Sequence, residues 1–241
     1  MNEFDELLKY LNQLMLEVYI AVDPQRNPIV RSLNQASFSQ LVYVIRQYSI
    51  FPKELVSFVK SSEDKAIEAG WLEVASKVQE NIAEELGSLT QGISHYDLLA
   101  EGLEEGLNLP IKDTIPSIAT LHLLESMQAL SDREAAYTFG AVYAIEATSI
   151  SELMIVMQII EQVIAGSMPY NLRYFFDMHL NEWEPEHEEN LQKTLAHCIK
   201  DTSFHQFEAG FCAVMEAMDL WWTELALEAI SPTSSLDLGV A

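Results

Sequence analysis

The stretch Tyr170–Leu191, YNLRYFFDMHLNEWEPEHEENL, contains two of the six histidines of the chain, His179 and His187. Eight residues are a little more than two helical turns, so on one helix both imidazoles point in roughly the same direction. Glu184 lies three residues before His187, a spacing with which helical bundles present a carboxylate and an imidazole to one metal ion. In so acidic a chain these glutamates are also compatible with a solvated helix face. Whether this stretch binds a metal ion depends on potential ligands in other segments.

The composition predicts one packed, soluble domain. The chain has 241 residues, 49% of them hydrophobic, which is enough to bury a sizeable core. Its 37 acidic and 13 basic residues leave a net charge of −24, which argues against a nucleic acid or an anionic membrane as partner. The two cysteines lack metal-site or disulfide-scaffold spacing, and the acidic N-terminus lacks the basic segment of a signal peptide. We expect a cytoplasmic protein without a membrane span.

Nearly every segment has a helical hydrophobic period, and no hairpin signal occurs, so the predicted class is all-α. We expect a single helical domain over residues 1–230, with about seven main helices, and a polar, disordered tail over residues 231–241. The predicted helices are Glu3–Val22, Asn34–Ser49, Pro52–Val59, Ser62–Gly87, His95–Leu107, Ile115–Leu130, Glu134–Ser149, Glu152–Ala165, Tyr170–Asp201 (interrupted by Pro185) and Ser203–Ala229.

Helical phase separates two neighbouring glutamates near the end of the predicted helix Ser62–Gly87. Glu85 falls on the inward side together with Asn81, whereas Glu84 falls on the solvated side and is predicted to be a surface residue. His95 follows shortly afterwards, at the start of a helix that Ser94 is expected to cap.

Glu146 is the one charge after Glu134 in the predicted helix Glu134–Ser149, which is expected to be the central buried helix. A buried carboxylate costs several kcal/mol unless it is paired. A bound metal ion would explain its presence, and a hydrogen bond to a buried tyrosine or arginine is the alternative.

Carboxylates and imidazoles on facing helices form the ligand set of iron or manganese, and about three of each predict a carboxylate-bridged dinuclear site. Such sites activate O₂. His122, three residues before Glu125, is expected to be structural, and His197 and His205 to lie near helix ends.

The order of these motifs resembles the heme-oxygenase-like di-iron oxidase/oxygenase superfamily. The motifs are N81-xx-EELG before His95, AIE ending at Glu146, FFxxH followed by ExxH, and a last helix with FxxGFxAxxEAxDLWWxEL. The chain looks most similar to the CADD-like branch, which shares its fold with the TenA and PqqC proteins. The resemblance covers roughly residues 81–227 and implies a heme-oxygenase-like helical bundle.

The resemblance also implies a ligand set and a function. Its metal ligands correspond to Glu85, His95, Glu146, His179, Glu184 and His187, of which Glu85, Glu146 and His187 are the expected catalytic residues. The expected function is an O₂-dependent non-heme di-iron oxidase or oxygenase acting on a small, partly apolar metabolite, fatty-acid-like or amino-acid-like. Two iron ions would be the cofactor and O₂ the co-substrate, and an external electron donor and a homodimer are compatible with it.

One departure from the family pattern leaves an alternative open. The family spaces its last ligands HxxxDxxH, whereas here the histidines are one residue further apart and Trp183 occupies the expected acidic position. A π-helical bulge between His179 and Glu184 would absorb the additional residue. Without a bulge the second metal position is incomplete and Glu182 is the fallback ligand. In that case a non-catalytic or cofactor-free binding protein with a degenerate metal site becomes the alternative function.

Overall fold

The computed structural model describes residues 3–230, with the backbone alone for residues 182–186. Within these residues the regular elements are all helices, which confirms the all-α class. The helices are α1 (Glu3–Val18), α2 (Pro28–Ser32), α3 (Phe38–Tyr48), α4 (Ile50–Glu68), α5 (Leu72–Glu85), α6 (His95–Leu107), α7 (Ile118–Ser131), α8 (Ala135–Glu161), α9 (Tyr170–Met178), α10 (Glu184–Cys198) and α11 (Phe204–Ile230). A π-helical turn (His179–Trp183) joins α9 to α10, and a 3-10 turn (Asp201–Ser203) precedes α11. The predicted tail, residues 231–241, lies outside the described residues.

The two longest helices, α8 and α11, pack against each other at the centre of the fold, and each has 27 residues. Their backbones meet at Gly140 of α8 and Gly210 of α11. A Cβ atom at Gly140 would collide with the carbonyl of Phe207, and one at Gly210 with the carbonyl of Tyr137. The close packing of α8 against α11 therefore depends on these two glycines.

The predicted helix Ser62–Gly87 is wrong at its start. Ser62 is buried within α4, where its hydroxyl donates to the carbonyl of Val59 and therefore caps nothing. The predicted short helix from Pro52 is the first part of the same α4. The break comes instead at Gly70, whose φ of 76° ends one helix before α5 begins.

The predicted division of the central helix is also wrong, because α8 continues without interruption through Ser149 and Ser151. The hydroxyl of Ser149 donates to the carbonyl of Glu146 inside α8, so Ser149 does not end this helix. Ser131 is the last residue of α7, and α8 begins after Glu134, which makes no side-chain cap bond.

By length and composition alone α8 is apolar enough to cross a membrane. However, 67% of its most apolar window is buried inside the fold. Such burial is typical of the core helix of a soluble protein.

Candidate metal centre

The last residue of α5 and the first residue of α6 bring Glu85 and His95 together. The loop between these helices turns sharply at Gly87, where φ is 101° and a Cβ atom would lie 2.7 Å from the carbonyl oxygen of Ile93. Ser94 caps α6 as predicted, since its hydroxyl accepts from the backbone N–H of Asp97. As a result, Oε1 of Glu85 lies 3.0 Å from Nδ1 of the buried His95.

His179 completes a group of three potential ligands. It is the first residue of the π-helical turn, and one ligand atom from each of Glu85, His95 and His179 lies within 4.8 Å of the others. Nδ1 of His179 is 2.7 Å from the carbonyl oxygen of Phe175, so this nitrogen carries the proton and donates. Nε2 is then the nitrogen with a lone pair, and a backbone carbonyl behind the ring orients it as in metal-bound histidines.

The π-helical turn confirms the predicted bulge between His179 and Glu184. It runs over His179–Trp183 and accommodates one additional residue, because its hydrogen bonds join residues i and i+5. The rings of His95 and His179 meet edge to face, with centroids 4.8 Å apart. The insertion therefore leaves His179 in the group instead of rotating it away.

Glu146 and His187 form a second group on the neighbouring helices α8 and α10. Nδ1 of His187 lies 4.0 Å from Oε2 of Glu146, whose Oε1 accepts a hydrogen bond of 3.1 Å from the side-chain amide of Asn81. Nε2 of His187 is 2.8 Å from Oε2 of Glu84. This last contact corrects the prediction that Glu84 is a surface residue: α10 packs over α5, and Glu84 points towards His187.

The predicted ligand Glu184 and the fallback Glu182 have side chains outside the described residues. The other histidines lie elsewhere. His122 is half exposed, with Nδ1 2.9 Å from Oε2 of Glu224 on α11. His197 lies in the last turn of α10 and His205 near the start of α11.

Burial and neighbouring charges set the protonation of the group in ways that suit metal ligands. Burial acts to raise the pKa of Glu85, but the hydrogen bond from His95 and the charges of the nearby histidines outweigh it, and the pKa is lowered. Burial lowers the pKa of His179 to about 4, so its imidazole is neutral at pH 7, as coordination requires. Burial raises the pKa of Glu146 to about 7, and the charge of His187 opposes this rise.

A cavity of about 70 Å³ faces both groups. Five of the predicted ligands line it, namely Glu85, His95, Glu146, His179 and His187. The remaining wall is largely apolar and comes from α3, α4, α5, α8 and α9. Carboxylates and imidazoles in an apolar cavity are a donor set for iron or manganese.

The sequence interpretation missed Glu152, a buried carboxyl that lines the same cavity. The signal that identified Glu146, an isolated acid in an apolar helix, applies to Glu152 equally well. The predicted break near Ser149 obscured it, because it placed Glu152 in the first turn of a new helix, where an acid is ordinary.

The comparison with protein families assigns nearly the whole described chain to one family. The model described as "Domain of Unknown Function with solved-structure structure (DUF3865)" matches residues 5–228. The chain belongs to the DUF3865 family. Among curated proteins, none matches the sequence.

Two crystal structures of a CADD-like protein of unknown function from Nostoc punctiforme PCC 73102 are similar to this DUF3865 chain. The structure at 2.00 Å resolution is 52% identical, with a TM-score of 0.92, and the alignment covers 95% of this chain and 99% of that one. The structure at 1.35 Å is 50% identical, with a TM-score of 0.90, and the alignment covers 95% of this chain and 96% of that one. The predicted resemblance to CADD-like proteins is thus confirmed.

Proposed function

We propose that this protein is an O₂-dependent, non-heme di-iron oxidase or oxygenase of the heme-oxygenase-like superfamily, acting on a small, partly apolar metabolite. The observation that carries the proposal is the group of Glu85, His95 and His179, with ligand atoms within 4.8 Å of one another. Glu146 and His187 line the same cavity and would supply ligands for a second ion.

The ligand atoms divide between two metal positions. Glu85, His95 and His179 would hold one ion. Glu146 and His187 would hold the other, with Glu184, whose side chain lies outside the described residues, as the expected further ligand. When bound, a ferrous pair supplies the electrons that activate O₂.

The surrounding residues prepare this site in three ways. The carbonyl oxygen of Phe175 lies within hydrogen-bond distance of Nδ1 of His179, and the carboxylate of Glu84 within hydrogen-bond distance of Nε2 of His187. These contacts fix the orientation of each ring. The low pKa of His179 keeps its lone pair available for a metal ion. The largely apolar wall of the cavity suits the apolar part of a substrate.

The π-helical turn bears on the alternative function, a non-catalytic binding protein with a degenerate site. That alternative was favoured by the additional residue between His179 and His187. Because the turn accommodates this residue and His179 stays beside Glu85 and His95, the spacing no longer favours it.

Reconstitution with ferrous iron tests the proposal. The purified chain, loaded anaerobically, should bind about two irons per chain and then consume O₂ in the presence of a reductant, which stands for the external electron donor. Glu146→Ala should lower the iron count, whereas Glu161→Ala, at an exposed residue of the same helix, should not. Equal iron uptake by the wild type and Glu146→Ala, or no uptake at all, would contradict the proposal.

A further inference from the structure

The cavity has another polar group in Glu152, which the metal positions do not use. Its side chain is 4% exposed, and within the described part of the chain its Oε1 has no hydrogen-bond partner. The buried indole N–H of Trp222 on α11 is the one described neighbour that favours the charged form of this carboxyl. Glu152 does not belong to the group of described residues that could hold a metal, which consists of Glu85, His95 and His179. A buried carboxyl oxygen that has no hydrogen-bond partner and faces a cavity is a candidate binding group for a ligand.

The surroundings of Glu152 disfavour its charge while the cavity holds no cation. Burial raises the pKa of Glu152 to about 8, and the neighbouring indole N–H of Trp222 opposes this rise only in part. A cation entering the cavity would stabilise the carboxylate and offset its desolvation.

The lining of the cavity favours a cationic ligand over an anionic one. Among the described residues that line it there is no lysine or arginine, whereas three carboxyls are present, from Glu85, Glu146 and Glu152. The aromatic rings of Tyr48, Phe51 and Phe175 also line the cavity, and faces of such rings attract ammonium groups. A carboxylate of a substrate would find a positive partner here only at the metal positions.

We propose that Glu152 binds the ammonium group of an aliphatic amine and thereby determines the substrate class. That the amine is a substrate, and not only a ligand, rests on the oxidase function proposed above. A cavity of about 70 Å³ accommodates roughly five to seven water-sized groups, which matches a short unbranched amine or the amine-bearing end of a longer one.

The position of Glu152 on α8 also orients this ligand. Glu152 lies six positions after Glu146, which is about 9 Å further along the helix axis. An amine held at Glu152 therefore places its carbon chain, and not its nitrogen, at the metal positions. This orientation accounts for a third carboxyl that lies apart from the metal positions and beside a largely apolar wall.

Ligand titration of the iron-free, full-length chain tests the proposal. Saturation-transfer NMR at pH 8.5 would compare n-butylamine with butyrate, which has the same chain length and the opposite charge. n-Butylamine should bind the wild type at least about tenfold more tightly than butyrate does. Glu152→Gln should raise the Kd for n-butylamine roughly tenfold to a hundredfold, because one charge-assisted hydrogen bond is lost. Glu161→Gln, exposed on the same helix, is the matched control and should leave the Kd unchanged.

Glu152→Leu serves as the second variant, because an apolar side chain is compatible with the buried position and also removes the carboxyl. Equal affinity for butyrate and n-butylamine, or an unchanged Kd for n-butylamine in both variants, would overturn the proposal. Loss of iron binding in Glu152→Gln would overturn it too, since Glu152 would then be a metal ligand. The titration contains no iron, so a failure of iron uptake in the wild type would refute the oxidase and not the amine site.

Discussion

Replacing Glu152 by glutamine should make the protein more stable at alkaline pH, and the size of the effect follows from its burial. The pKa of this carboxyl rises from 4.5 to about 8 in the folded protein. Between pH 4.5 and about pH 8, Glu152 keeps its proton in the folded chain and has lost it in the unfolded chain. The free energy of unfolding therefore falls as the pH rises, by about 1.4 kcal/mol per pH unit, and becomes constant above the folded pKa.

At pH 8 the effect is already on the order of 4 kcal/mol, which is a large part of the stability of an ordinary domain. Glutamine has the same shape and cannot ionise, so Glu152→Gln should lack this pH dependence. The variant and the wild type should be similarly stable near pH 4.5 and should differ by several kcal/mol at pH 8. Glu146, whose pKa is raised to about 7, is present in both proteins, so to a first approximation its titration does not affect their difference.

Urea unfolding of the metal-free protein, followed by circular dichroism at pH 5, 6, 7 and 8, measures this difference. Glu161→Gln is the control, because Glu161 lies at the exposed end of the same helix and should give the wild-type result at every pH. The reasoning would be refuted by a difference between Glu152→Gln and the wild type that does not change with pH. A difference that decreases as the pH rises would refute it as well.

Three further predictions concern the packing and the surroundings of the site. Gly140→Ala should lower the free energy of unfolding by about 3 kcal/mol, because the added Cβ would collide with the carbonyl of Phe207. Thermal or urea unfolding measures this change. A stability equal to that of the wild type would show that α8 and α11 are further apart. Glu84→Gln should weaken iron binding roughly tenfold to a hundredfold, because Glu84 orients His187. Glu73→Gln, at an exposed residue of the same helix, is the control and should bind iron like the wild type. An iron affinity of Glu84→Gln equal to that of the wild type would show that Glu84 does not support the site. His122→Ala should leave iron content and O₂ consumption unchanged, and a loss of either would place His122 in the site, despite its exposed position beside α11.

Local sequence rules predicted the structure correctly where a single helix determines the position of a residue. Helical phase places Glu85 inward, and Ser94 caps the helix that begins at His95. The π-helical turn followed from counting residues between His179 and His187, because a helix can absorb one additional residue in that way.

Contacts between distant segments could not be read from the sequence. Helical phase assigns Glu84 to solvent because it contains no information on α10, which packs over α5 and covers that face with His187. Serine was also misleading: the predicted helix start at Ser62 and the predicted helix end at Ser149 both lie within continuous helices, where the two hydroxyls donate to backbone carbonyls. The break near Ser149 in turn hid Glu152.

Anomalous scattering from crystals grown anaerobically with ferrous iron tests the central claim most directly. Data collected at the iron absorption edge should show two peaks in the cavity. One should lie among Glu85, His95 and His179, and the other between Glu146 and His187. A map without an iron peak in this cavity, or with iron bound only outside it, would contradict the account.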